Sequence, residues 1–408
     1  MNKRIYLDHA AATPLDPKVH KAMEPFWALD FGNPSAIHKE GVAARLAVSY
    51  ARTAIAKVLG VNDDTIIFTA GATESCNLAL IGSVRAWQKA HTHQTPEIIV
   101  SAIEHDAVLA PAEALKKEGV LVHRIPVDAE GIIDLAVLKS LITKNTVLIS
   151  IMHANNEIGT ISPLEDAAKL IRKWKKEERG VTRDEAQEGD ARYPLLHSDA
   201  AQSGNFLPLN APKLGVDLLT ISSPKIYGPK GVGLLFIART TPIDPLIVGG
   251  GQERALRAGT ENVPLIVGFA EALVIAQDMA SGEAARLTTL RDHYIKELLT
   301  LKGLVINGSL KTRLPNNIHF SLPAVDHEFL CLALDARGFA VATKSACNET
   351  DTEISHVLLA LREGSDDKRP VSGIRISLGR ENTEADLPFF MEALRDILST
   401  MIICEDDK

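Results

Sequence analysis

A few side chains in this sequence have the type and the neighbours to do chemistry. Lys225 sits between Pro224 and the apolar pair Ile226-Tyr227, where a strand would end. An amine pushed towards apolar surroundings loses its proton more easily and becomes a nucleophile. The same lysine also reads as a surface turn residue. Asp199, in His197-Ser-Asp-Ala-Ala-Gln202, closes an apolar run. A carboxylate at the end of a strand in an α/β protein suits a protonated ring nitrogen, and equally a helix cap. His105, in Glu104-His105, follows another apolar run, where an imidazole can stack on a flat cofactor and carry protons. Thr69-Ala-Gly-Ala-Thr-Glu-Ser75 reads as a strand entering a helix. Its small residues and free amides favour an anion, with Thr73 adding a hydroxyl, or else they make an ordinary capped helix start. Cys347 lies in the polar stretch Ala342-Thr-Lys-Ser-Ala-Cys-Asn-Glu-Thr-Asp351, and the nearby Lys344 favours a thiolate. Cys76, Cys331 and Cys404 have apolar, helical surroundings and read as small core residues. His153 reads as structural.

The elements that must position these groups alternate. Strand-like runs at 65–69, 98–101, 120–125, 147–152 and 195–199 are separated by helix-like segments at 40–59, 107–118, 135–141 and 164–176. That order predicts a mostly parallel sheet covered on both faces. Asp217 to Phe236 reads as two strands joined at the corner that carries Lys225. Pro17 to Leu29 is predicted as one helix. The charged stretch Lys175 to Arg192 is predicted as a solvated surface loop. Beyond the glycine-rich 249–262, a helix from Pro264 to about Gly303 leads into mixed strands and helices, a smaller α+β domain. The first dozen residues are expected to pack against it. The domains expected are thus 15–262, and 1–14 with 263–408.

Composition narrows the class. With 408 residues, 46% of them hydrophobic, the chain has ample material for two cores. The net charge of -8 gives no support for nucleic-acid binding. No stretch reads as a signal sequence or a membrane span. The four cysteines show no metal-ligand spacing, which points to reduced thiols in a cytoplasmic protein and to no metal site.

Taken in order, Tyr6-Leu-Asp-His-Ala-Ala-Ala-Thr-Pro14, Phe31-Gly-Asn-Pro-Ser35, Gly71-Ala-Thr-Glu-Ser75, Glu104-His105, Asn155-Asn-Glu-Ile-Gly159, His197-Ser-Asp-Ala-Ala-Gln202, Lys225-Ile-Tyr-Gly-Pro-Lys-Gly231, Arg257-Ala-Gly-Thr-Glu-Asn262, Ser345-Ala-Cys347 and Ile374-Arg-Ile-Ser-Leu-Gly-Arg380 resemble the NifS/IscS-type cysteine desulfurases. These belong to the class-V aminotransferase family of pyridoxal-phosphate (PLP) enzymes. The resemblance covers nearly the whole chain and implies PLP fold type I and a homodimer. It implies that Lys225 holds PLP as a Schiff base, that Asp199 pairs with the ring nitrogen and Gln202 with the ring hydroxyl. His105 would stack on the ring and help move protons. Ala72, Thr73, Ser222 and, across a dimer interface, Thr260 would bind the phosphate. Asn156 and Arg375 would orient L-cysteine, Arg375 gripping its carboxylate in a fork. Cys347 would take the sulfur as a persulfide, leaving alanine, and pass it to an acceptor protein of iron–sulfur cluster assembly or tRNA thiolation. Other readings are a selenocysteine lyase, a cysteine sulfinate desulfinase and a degenerate non-catalytic partner protein.

The sequence departs from the pattern in places. Pro224 stands where the family usually has a histidine that contacts the phosphate, which puts PLP affinity in question. Thr343-Lys344 replaces a smaller, serine- and glycine-rich approach to the cysteine. The charged insertion before Leu195 is not usual, and the longer tail of the housekeeping branch is missing.

Overall fold

A computed structural model describes residues 4–180, 192–343, 354–363 and 370–403. Its strands, in chain order, are β1 (Ile5–Tyr6), β2 (Ile66–Thr69), β3 (Glu97–Ser101), β4 (Leu121–Ile125), β5 (Thr146–Ser150), β6 (Leu195–Asp199), β7 (Leu218–Ser222), β8 (Gly233–Ile237), β9 (Val305–Ile306), β10 (Asn317–Ser321), β11 (Phe339–Ala340) and β12 (Ile374–Ser377). A seven-stranded sheet has the order β2-β8-β7-β6-β5-β3-β4. Only β8 runs against its neighbours; the other pairings are parallel. This is the mostly parallel sheet expected.

Both faces of the sheet are buried except along the edge strand β4. Ile66 and Phe68 of β2 join Ile99, Ile149, Leu219 and Ile221 in one core, under the helices Lys39–Leu59 and Leu164–Arg179. Ile67 points the other way, with Val100, Leu148 and Leu235, under the helix Asp106–Lys117. Side chains alternate between faces along a strand, so a strand buried on both sides reads as a continuous apolar run. A third core joins Ile5, Leu7, Tyr294, Leu298, Phe320 and Phe390. It belongs to a smaller unit with the antiparallel sheet β12-β10-β9 and the parallel pair β1-β11. The first strand does pack there.

The helix Val263–Leu298 serves both units: Val263 to Ala276 pack on the first core and Leu287 to Leu298 on the third. This helix corrects one expectation, because it is long and apolar enough to cross a membrane by composition. Half of that apolar window is buried inside the protein, where the helix acts as a core element.

Two other expectations need correction. Pro17 to Leu29 is broken into Pro17–Met23 and Pro25–Ala28. Pro25 has no N–H for the first helix and instead opens the second. The stretch from Lys175 begins as helix, not loop, since the helix Leu164–Arg179 runs to Gly180, whose φ of 66° caps it. Lys175 is buried there, its Nζ donating to the Arg192 carbonyl at 2.6 Å. The remainder, 181–191, lies outside the described residues.

Candidate active site

Strands β2, β3, β5, β6 and β7 point the same way, so their carboxyl ends share one edge of the sheet. The segments leaving that edge carry Ala72 and Thr73, His105, Asn156, Asp199 with Gln202, and Ser222 with Lys225. Ligands in open α/β sheets bind at this edge. Gly233 of β8 pairs with Thr69 on one side and Ser222 on the other. A Cβ there would lie 2.7 Å from the Gly71 carbonyl carbon, so the glycine lets the loop into the helix close over the sheet.

Asp199 is the buried charge at the centre. Its Oδ1 accepts the Ala201 N–H at 2.9 Å, and its Oδ2 lies 3.8 Å from Cys76 Sγ. Burial pushes its carboxyl above the usual range, and the Ala201 amide, His105, Cys76 and Lys225 oppose the shift. His105 and Lys225 therefore both act on this carboxylate.

Lys225 ends a 3₁₀ turn, Ser223–Lys225, just after β7. Its Nζ donates to the Ala11 carbonyl. The N-terminal segment around Ala11 is stitched across the same corner. Thr13 gives its N–H and hydroxyl to the Pro224 carbonyl, at 2.9 and 3.1 Å, and takes the Tyr227 N–H at 2.7 Å. Gln202 Nε2 donates to the Ala10 carbonyl at 3.0 Å. Tyr227 has a φ of 62°, which turns the chain back towards β8.

His105 caps the helix Asp106–Lys117, its Nδ1 accepting the Ala107 N–H at 3.0 Å. A neutral ring then carries its hydrogen on Nε2. Glu104 beside it is fully buried. Its Oε1 accepts from Ser101 Oγ and from the Met152 N–H, both at 2.6 Å, and burial pushes its carboxyl up to about 8. His153 is buried and held down to about 4, consistent with a structural role.

Arg375, on β12, is 1% exposed. Its Nη1 donates to the Asn156 carbonyl at 2.9 Å and its Nη2 to Asp8 Oδ1 at 2.8 Å, while among the described residues Nε has no partner. A buried guanidinium with an unused donor fits a carboxylate ligand. Asn156 is brought to Arg375 through its main chain.

Ala72 and Thr73 begin a continuous helical run: Ala72–Asn77, a π segment Leu78–Gly82, then Ser83–Ala90. Thr73 is exposed and Ala72 half-buried, so their amides are open to a ligand, while Ser222 is buried. Thr260 is exposed on a loop tied to the same helix by Arg257 Nε and Glu74 Oε1, 3.0 Å apart. Cys347 and Lys344 lie outside the described residues. On the near side of that stretch, Ala342 bridges to Arg375 by backbone hydrogen bonds. On the far side, Ser355 caps the helix His356–Arg362 and donates to Glu157 Oε2 at 2.6 Å. Among the described residues no cluster of side chains could hold a metal ion.

The sequence missed Asp8, Ala11, Glu104 and the contact of Cys76 with Asp199. Asp8 and Glu104 lie inside the quoted motifs Tyr6–Pro14 and Glu104-His105, the only signal the sequence carries for them.

Known proteins resemble the chain over nearly its whole length. The aminotransferase class-V family profile matches residues 5–390. A cysteine desulfurase IscS from Dictyoglomus turgidum is 43% identical over 98% of this chain and 96% of its own. A solved NifS-like protein superposes with a TM-score of 0.85 at 37% identity, covering 97% of this chain and all of its own. A structure described as SspA in complex with cysteine gives 0.74 at 33% identity, over 91% of this chain and 98% of its own. The chain belongs to the class-V aminotransferase family, among its NifS/IscS-type cysteine desulfurases.

Proposed function

We propose that the protein is a PLP-dependent cysteine desulfurase, which takes sulfur from L-cysteine and leaves L-alanine. The observation that carries this reading is the buried Asp199 carboxylate with both His105 and Lys225 acting on it. The residues present fit the cofactor. A buried acid, an amine and an imidazole lie on segments leaving one edge of the sheet, as do the helix-start amides of Ala72 and Thr73.

Lys225 would hold PLP covalently, Asp199 would pair with its ring nitrogen and Gln202 with its hydroxyl. Ala72, Thr73 and Ser222 would hold the phosphate. When bound, PLP supplies an electron sink that makes the substrate C–S bond labile. Arg375, already set by Asp8 and the Asn156 carbonyl, would grip the substrate carboxylate. His105 would stack on the ring and exchange a proton at Nε2, because its Nδ1 is committed to the Ala107 amide. Cys347, as a thiolate, would attack the substrate sulfur. An S–S bond forms as the C–S bond breaks, with the bonding pair leaving on carbon, and the persulfide can then pass to an acceptor protein. An iron–sulfur scaffold or a tRNA-thiolation protein is the acceptor class we propose, in the cytoplasm.

A homodimer completes the reading. Trp27, Leu29, Phe31, Ile37, Tyr50 and Val248 are exposed, from 59% for Trp27 to 94% for Ile37. An apolar groove of about 460 Å³ between Phe26, Leu46, Tyr50, Val267 and Val274 adjoins them. Large exposed apolar area of this kind supports a subunit interface. Thr260 would then reach the phosphate of the neighbouring subunit. One assay tests the main reading: purified protein with PLP should show a visible absorption band and release alanine from L-cysteine. A protein that stays colourless in excess PLP would sink it.

A further inference from the structure

Behind Asp199 stands a line of buried polar side chains that the proposed reaction does not use. Ser150 Oγ lies 2.9 Å from His197 Nδ1, and His197 Nε2 lies 3.1 Å from Thr220 Oγ1. Cys76 Sγ lies 3.7 Å from Thr220 Oγ1 and 3.8 Å from Asp199 Oδ2. Ser150, His197, Thr220 and Cys76 are all fully buried. The line crosses β5, β6 and β7 and ends on the helix that begins at Ala72.

Hydrogen counting gives this line one complete arrangement. Burial holds His197 down to about 3, so its ring is neutral and has one N–H. Burial, with Asp199 and Glu104 near, pushes the Cys76 thiol well up, so its sulfur keeps its hydrogen. If Asp199 is ionised, every hydrogen points towards it: Ser150 to His197, His197 to Thr220, Thr220 to Cys76, Cys76 to Oδ2. If Asp199 is protonated, the line holds one hydrogen more than it has contacts, and the buried Ser150 hydroxyl hydrogen is left without an acceptor in it. A mixed order wastes a buried donor, which is costly. Lys225, His105 and the Ala201 amide favour the ionised form from the other sides, and burial opposes it.

We infer that Cys76, backed by Thr220 and His197, is a positioning residue that keeps Asp199 ionised towards the ring nitrogen of PLP. The inference rests on the PLP reading above. A thiol is a weak donor alone, but a chain of aligned donors polarises its last member.

The experiment uses the holoenzyme loaded with PLP labelled with ¹⁵N in the ring. Its readouts are the ring-nitrogen chemical shift and the PLP dissociation constant. A wild-type protein that binds no PLP would overturn the proposed function before any variant is compared. With binding confirmed, wild type should show a protonated ring nitrogen. Cys76→Ala should move that signal towards the unprotonated position and weaken PLP about three- to tenfold. Cys76→Ser should restore part of both changes, and Thr220→Val should show a smaller change of the same sign. A merely space-filling Cys76 would leave the nitrogen signal in place, and that result overturns the inference. Should Cys76→Ala fail to fold by circular dichroism, Thr220→Val decides: an unchanged nitrogen signal overturns the inference and a shifted one supports it.

Discussion

The half-buried Asp8 and the buried Arg375 form an ion pair, Oδ1 to Nη2, 2.8 Å apart across 367 residues of sequence. The side chains are 17% and 2% exposed. Taking one partner from a buried pair strands the other charge, typically at 3–5 kcal/mol. Asp8→Ala should therefore lower stability by about 3–5 kcal/mol in urea unfolding, and raise KM for cysteine more than it lowers kcat. Asp8→Asn keeps an acceptor and should cost less. Wild-type stability and KM in Asp8→Ala would mean that Arg375 is held by Asn156 alone.

The anchoring of Lys225 gives a direct spectral test. Its amine is held at the Ala11 carbonyl, next to the Asp199 carboxylate that it helps to keep ionised. Lys225→Ala should bind PLP without the visible band and without any borohydride-reducible adduct. A borohydride-fixed adduct that survives dialysis in this variant would place the covalent link on another lysine.

Pro224 has a role of its own in the corner. Its carbonyl takes two hydrogen bonds from Thr13, and its ring starts the 3₁₀ turn that delivers Lys225. Those contacts use the main chain, so a histidine side chain can be added without breaking them. Pro224→His should tighten PLP by about 1.5–3 kcal/mol at most, the worth of one hydrogen bond to a charged group. Equal affinity by equilibrium dialysis would show that another group already fills that place.

Glu104 sets a pH dependence in the cofactor-free protein. Burial raises its carboxyl from the usual 4.5 to about 8. Between those values the folded state holds a proton that the unfolded state has lost. The Glu104 contribution to stability should then fall as pH rises from about 4.5 to about 8, with a slope of up to ~1.4 kcal/mol per pH unit, while the buried His9, His153, His197 and His319, all held low, act the other way below 6.5. Asp199, also raised, adds to the same trend. Glu104→Gln should lose this component, so its stability relative to wild type should rise with pH across the window; a constant difference would assign the dependence elsewhere.

The strand pattern could be read in advance because double burial leaves continuous apolar runs, as in Val147 to Met152. The site edge followed from it, since Asp199, Ser222 and His105 each sit at or just beyond such a run. What could not be read depends on main-chain groups or on distance in sequence. Any residue has a carbonyl like that of Ala11, and nothing local pairs Asp8 with Arg375. The charged stretch at Lys175 misled for another reason. Lys, Glu and Arg are good helix formers, and an i,i+4 pair of Lys173 with Glu177 extends the helix on its wet side while Trp174 is buried.

Sulfur chemistry and cofactor binding should separate cleanly in variants. The groups proposed to hold PLP stand at the edge of the large sheet, on segments leaving β2, β6 and β7. Cys347 comes from the chain between Ala342, bridged to Arg375, and Ser355, tied to Glu157. Cys76 is buried, and Cys331 directs its thiol to the Val341 carbonyl at 3.3 Å; burial and nearby acids push both thiols up, away from the thiolate. A nucleophile for the substrate sulfur needs thiolate character, and the Lys344 neighbourhood of Cys347 favours it. Cys347→Ala should keep the visible band and its change on adding cysteine. It should lose persulfide, followed by mass spectrometry, and about 10²-fold or more of alanine formation. Selenocysteine turnover should survive in part, because selenium leaves more readily. Cys331→Ala should keep turnover. Alanine at the wild-type rate from Cys347→Ala would replace the desulfurase mechanism with a lyase that needs no protein thiol.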